Sequence, residues 1–87
     1  MTNRESEANA AFEAAVRAIP PGRYRHFKGN EYEVLAVARH SETLEPMVVY
    51  RALYGEGGLW VRPASMWNET VERDGKILPR FTYIGEE

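Results

Sequence analysis

The sequence predicts a mainly β fold: a small antiparallel barrel of roughly five or six short strands, preceded by one N-terminal α-helix. Three observations carry this expectation. Helical periodicity is confined to residues 3–19. After Gly22 the chain changes to short alternating runs separated by turn residues, at spacings of about ten residues. Late in the chain, Pro63 presets φ for a single helical turn at residues 64–67. Short strands with one late turn of this sort suit the SH3-like kind of barrel. Residues 1–20 then form a helix packed on a barrel of residues 21–87, either capping its open end or serving a dimer contact.

Within the helix, Thr2 and Glu5 have the spacing of a capping box, which satisfies two backbone N–H groups at the first turn. Ala8, Phe12, Ala15, Val16 and Ile19 recur at helical spacing and make one thin apolar stripe, by which the helix is expected to dock. Glu13 and Arg17 form an i,i+4 pair. Pro20 disfavours helical backbone at Ile19, and neither Pro20 nor Pro21 supplies an N–H, so the helix ends there.

Arg23 to Lys28 alternates as a first strand, and Gly29-Asn30 tolerates positive φ at the turn. The second strand, Glu31 to Arg39, carries Tyr32, Val34, Ala36 and Ala38 on one face and Leu35 and Val37 on the other. Two apolar faces in so short a chain predict strong bending, as where one strand serves two packed sheets. After a polar connection, Met47 to Tyr54 forms a third strand. Gly55-Glu56-Gly57-Gly58 makes a flexible turn, and Leu59 to Arg62 a short strand stopped by Pro63. Arg73-Asp74-Gly75-Lys76 has the Asp-Gly signal of a two-residue hairpin, joining residues 70–72 to 77–78. Phe81 to Ile84 is the last strand.

The totals bound the function. A chain of 87 residues allows one domain and a small core. No run approaches the ~20 apolar residues that span a bilayer, and the N-terminal residues are too polar and acidic for a secretory signal, so a cytoplasmic location without membrane contact is expected. Cysteine is absent, which excludes disulfides, thiolate nucleophiles and Cys-based zinc sites. A net charge of −2 argues against a general nucleic-acid binder. Nine of the 11 basic residues are Arg, the side chain suited to bidentate anion recognition.

Several blocks resemble the bacterial domain-of-unknown-function family 1653. They are Pro21-Gly22-Arg23-Tyr24-Arg25-His26-Phe27-Lys28-Gly29, Tyr32-Glu33-Val34, Ala38-Arg39-His40-Ser41-Glu42, Val49-Tyr50-Arg51, Trp60-Val61-Arg62-Pro63 and Arg80-Phe81. They occur in the family's order and spacing over about residues 21–84. The resemblance implies an SH3-like barrel in a short bacterial cytoplasmic protein, and it brings no established activity or catalytic residues. Met66-Trp67 departs from the family's more usual Met-Phe and keeps an aromatic role with a larger ring. The N-terminal helix lies outside the matched blocks.

The chemistry legible in the residues is that of binding. His26 and His40 are the only bases near neutral pH, and a small enzyme would need one of them backed by a carboxylate in a closed pocket. The single Asp is already explained by the hairpin turn, and with 12 Glu some proximity is inevitable. Nothing has the spacing of a metal motif or a phosphate loop, so no metal and no cofactor is expected. The tyrosines and tryptophans are more than so small a barrel can bury in full, and such rings with Arg often form a ligand groove. The candidate ligand-binding residues are Tyr24, His26, His40, Tyr50, Arg51, Trp60, Arg62 and Trp67, with Arg62, Tyr24 and His26 facing one cleft. No catalytic residue is assigned. The expected function is a non-catalytic binding module for an anionic small molecule, a peptide or single-stranded nucleic acid, acting as monomer or homodimer. A small enzyme using His26 or His40 and a structural homodimerisation module are the alternatives.

Overall fold

The computed structural model describes residues 3–85, with side chains from residue 6 onward. The Thr2–Glu5 capping box lies outside the described residues. The elements in chain order are α1 (Asn3–Ala18), β1 (Gly22–His26), β2 (Glu31–Arg39), β3 (Pro46–Ala52), β4 (Leu59–Pro63), α2 (Ala64–Trp67), β5 (Thr70–Arg73), β6 (Lys76–Pro79) and β7 (Phe81–Gly85).

α1 ends where its prolines dictate, with the Ile19 N–H still donating to the Ala15 carbonyl at 2.9 Å. It docks by the i,i+4 line of Ala15 and Ile19, which are 8% and 1% exposed. Val16, expected in the docking stripe, is instead 43% exposed. The stripe is too thin to turn a third residue inward. Phe12 is half-buried under Arg39, whose guanidinium lies 4.0 Å from the ring centroid. Arg39 also donates to Asn9 Oδ1 at 3.3 Å, tying the helix to β2.

Five strands form one antiparallel sheet in the order β4-β3-β2-β1-β7, and β5 pairs only with β6. The closed barrel is therefore corrected: the sheet is open, with β4 and β7 as its edges. The chain between them is taken up by α2 and by a hairpin that makes its own two-stranded sheet. That hairpin also raises the strand number to seven among the described residues. Its turn is as the Asp-Gly pair requires, with φ of 55° at Asp74 and 78° at Gly75.

β2 pairs with β1 through its first half and with β3 along its length. A register shift between Val34 and Ala36 inserts one extra residue, Leu35, and reverses the alternation beyond it. Val34 and Val37 consequently both pack on the core, while Ala36 and Ala38 turn outward. The single-face reading of Tyr32, Val34, Ala36 and Ala38 fails at this bulge. β3 stops at Ala52, two residues earlier than the sequence pattern suggests.

The core lies between the inner face of the sheet and the two helices. Ile19, Val34, Val48 and Trp67 are its most completely buried large side chains, with Tyr24, Tyr50 and Phe81 around them. Gly22, buried at the start of β1 with φ 140°, brings the chain onto the sheet in a conformation that side chains disfavour. The Tyr24 hydroxyl then donates to the Pro20 carbonyl at 2.8 Å and fixes the corner between α1 and β1.

Candidate functional site

β1 and β7 run side by side, and His26 stands opposite Phe81. Opposed residues share a face. The two rings meet edge to face at 5.0 Å. Trp67, at the end of α2, lies flat on Phe81, with 3.7 Å between centroids and 3° between planes. Behind this stack, Trp67 meets Tyr24 at 5.5 Å and Tyr50 at 5.0 Å. The aromatic core thus runs from Trp67 through buried Phe81 to the half-buried ring of His26.

Cations gather at that end. The Arg62 guanidinium, reaching in from β4, is 5.8 Å from the Phe81 centroid. Arg80 precedes Phe81 and donates to Glu69 at 3.3 Å. Arg62 has no ion-pair partner among the described residues, and the Nε atoms of both Arg62 and Arg80 are buried without a hydrogen-bond partner. The His26 imidazole is held below its ordinary value, first by burial and then by the positive charges of Arg80, Lys28 and Arg62. Its Nδ1 accepts the Lys28 N–H at 3.2 Å, which leaves the proton of the neutral ring on Nε2. Beside it, Arg25, His26, Phe27, Leu78, Pro79 and Ile84 line a shallow groove of about 250 Å³.

The depressed His26 pKa has a pH consequence. A base that binds its proton less readily when folded contributes stability that is present above the unfolded value near 6.5. That contribution is lost as pH falls from there through the lower folded value. Thermal unfolding followed between pH 7 and pH 5 is expected to show Tm falling with pH, and His26→Gln to flatten the slope. An unchanged slope in the variant would place the titrating group elsewhere. At the alkaline end, burial raises the Tyr24 phenol to about 12, aided by the Tyr83 charge. Burial also raises Tyr32 to about 12, with help from its hydrogen bond to Tyr54.

The eight candidate residues separate in space. His26 and Arg62 come together on Phe81, and Trp67 supplies the ring beneath it. Tyr24 and Tyr50 are buried behind Trp67, so Tyr24 does not share an open cleft with Arg62 and His26. Its hydroxyl is engaged by Pro20 instead. Trp60 is two residues before Arg62 on the same face of β4, at the exposed rim. Arg51 pairs with Glu33 and Leu59 on the opposite face of the sheet. His40 lies just past the far end of nine-residue β2, roughly 27 Å from the His26 end at the usual strand rise. There its Nδ1 accepts the Glu42 and Thr43 N–H groups at 3.1 and 3.2 Å, closing the β2–β3 turn. Glu42 is 3.6 Å from that same nitrogen, but a nitrogen already accepting two N–H groups offers the carboxylate no proton. Phe81, Arg80 and Lys28 were absent from the candidate set. The family-like blocks are the signal that points to them, Lys28 in the first and Arg80-Phe81 in the last.

These features define a small antiparallel-sheet domain whose aromatic core opens at one end onto a cluster of basic side chains. The chain belongs to the DUF1653 family, described as proteins of unknown function, whose family model matches residues 22–83. It is similar to a DUF1653 protein from Bordetella bronchiseptica known from a crystal structure. The two share 42% identity over 83% of this chain and 95% of that one, with a TM-score of 0.75. No curated protein matches the chain. No described helix is long and apolar enough to cross a membrane.

Proposed function

We propose that this protein is a non-catalytic binding module, and that the end of the sheet at His26, Arg62, Arg80 and Phe81 receives an anionic ligand. The observation that carries this reading is Arg62: a guanidinium resting near an aromatic ring, with no carboxylate partner among the described residues and a buried, unsatisfied Nε. A buried donor left unpaired costs about 1–3 kcal/mol, and more when charged. A carboxylate or phosphate oxygen would pair with the outer N–H groups of this guanidinium and offset that cost. The repulsion that Arg80, Lys28 and Arg62 exert on His26 supports the same sign of ligand charge. Neutral His26 offers an Nε2 donor beside them.

The return of β7 to the side of β1 and the bulge in β2 support reading the fold as SH3-like in topology, though open. The Bordetella relative supports a bacterial source.

Arg62→Met is the test. Thermal-shift titrations of the wild-type protein with phosphate, citrate and a nucleoside triphosphate are expected to raise Tm for at least one of them. The variant is expected to lose that shift while keeping an apo Tm within a few degrees of wild type. A large fall in apo stability with no anion effect in either protein would make Arg62 a structural residue and end the binding reading.

A further inference from the structure

The second feature that a packed sheet does not explain is the edge strand β4. Leu59, Trp60 and Val61 are consecutive apolar residues, 61%, 60% and 61% exposed, on a strand paired on one side only. Natural edge strands are usually blunted by charge, bulges or brevity, because a free edge templates further pairing. β4 is short, carries one charge and ends in Pro63, but it has no bulge and leaves three consecutive apolar side chains exposed.

The phase of its backbone can be fixed. Ala52 donates to the Gly58 carbonyl at 3.2 Å, and these two residues extend the β3–β4 register in which Arg51 faces Leu59. Hydrogen-bonded and non-hydrogen-bonded pairs alternate along an antiparallel ladder. Trp60 and Arg62 therefore turn their N–H and C=O groups toward β3, while Leu59, Val61 and Pro63 turn theirs outward. Of these three, proline has no N–H to offer.

We infer that β4 is a homodimerisation edge, pairing antiparallel with β4 of a second copy about a two-fold axis through Val61. The strand Leu59-Trp60-Val61-Arg62-Pro63 is self-complementary in that register. Val61 faces Val61 of the second copy and exchanges two N–H···O bonds with it. Leu59 faces Pro63 and donates to its carbonyl, so the missing proline N–H costs only one bond on each side. Trp60 faces Arg62, laying an exposed indole beside a guanidinium in the closer, non-hydrogen-bonded type of pair. No like charges oppose each other. A two-fold axis lets one patch serve as both halves of the contact. The product is one continuous ten-stranded sheet. The occupant is a second copy because this charge and aromatic match is internal to the strand; an unrelated extended peptide would supply only the backbone bonds.

Sedimentation equilibrium of the full chain over a range of micromolar to millimolar concentrations is expected to move the mass from one chain toward two. Val61→Lys, which sets two ammonium groups face to face at the axis, is expected to hold it at one chain with Tm little changed at low concentration. Val61→Pro should do the same, since it removes only an outward N–H. The register is read separately by cysteine. The chain has none of its own, so Val61→Cys should oxidise to a symmetric disulfide across a Cα separation of about 5.5 Å. Leu59→Cys should not, because four residues of offset place its two copies roughly 13 Å apart. A single-chain mass at every concentration overturns the inference. So does equal cross-linking of the two cysteine variants, or a Val61→Lys protein that still dimerises.

Discussion

Trp67→Ala is expected to remove a large share of the folding stability. Trp67 is 2% exposed, packs flat on Phe81 and meets Tyr24 and Tyr50 edge-on. Truncating such a ring costs about 3–5 kcal/mol, transfer and cavity together. A chain of this length has a total stability of roughly 4–13 kcal/mol at the usual value per residue. Trp67→Phe keeps the stack and removes an indole Nε1 that is buried without a partner. It should cost less than half as much, in keeping with the Met-Phe pair the family more usually resembles. Urea unfolding of both variants checks this, and equal losses would mean that the Trp67–Phe81 stack does not organise the core.

Ile19→Ala is expected to destabilise by about 2–5 kcal/mol, because the side chain is 1% exposed within the core cluster and its truncation leaves a cavity. Val16→Ala, three residues earlier and exposed, should stay within about 0.5 kcal/mol of wild type. Comparable effects at the two positions would show that the helix docks by another face. We propose that residues 20–87 keep β-type circular dichroism after removal of residues 1–19, with a much lower Tm. An unfolded product would make helix and sheet one folding unit.

The strands were legible because turn chemistry is local. Asp74-Gly75, Pro63 and the Pro20-Pro21-Gly22 stop each act within a few residues, and the elements they bound appear where the sequence puts them. Closure was not legible. Whether β4 and β7 meet depends on how the intervening hairpin packs, and no periodicity encodes that. The β2 bulge escaped for a related reason: an extra residue is invisible until a partner strand supplies the count against which Leu35 is in excess.

The candidate site was half legible. Residue type points to Arg62 and His26, and they converge because β4 and β1 both carry them on the inner face near strand ends. Residue type points equally to His40 and Arg51, yet one lies at the far end of the sheet and the other on its opposite face. Residue chemistry identifies what could bind, and only the register decides which of those groups share a surface. A lone Phe next to an Arg is ordinary, so nothing in the residues themselves marks Phe81. Its position opposite His26 and beneath Trp67 is what makes it the centre.

The unequal placement of the two tryptophans gives the molecule a built-in pair of optical reporters. Trp67, sealed in the core, should emit at short wavelength and resist collisional quenchers such as iodide. Trp60, on the open edge, should emit nearer the wavelength of free indole and quench readily. Loss of the blue component then follows disruption of the core, while a change confined to the red component follows events at the edge strand, so a single emission spectrum separates unfolding from association without any label.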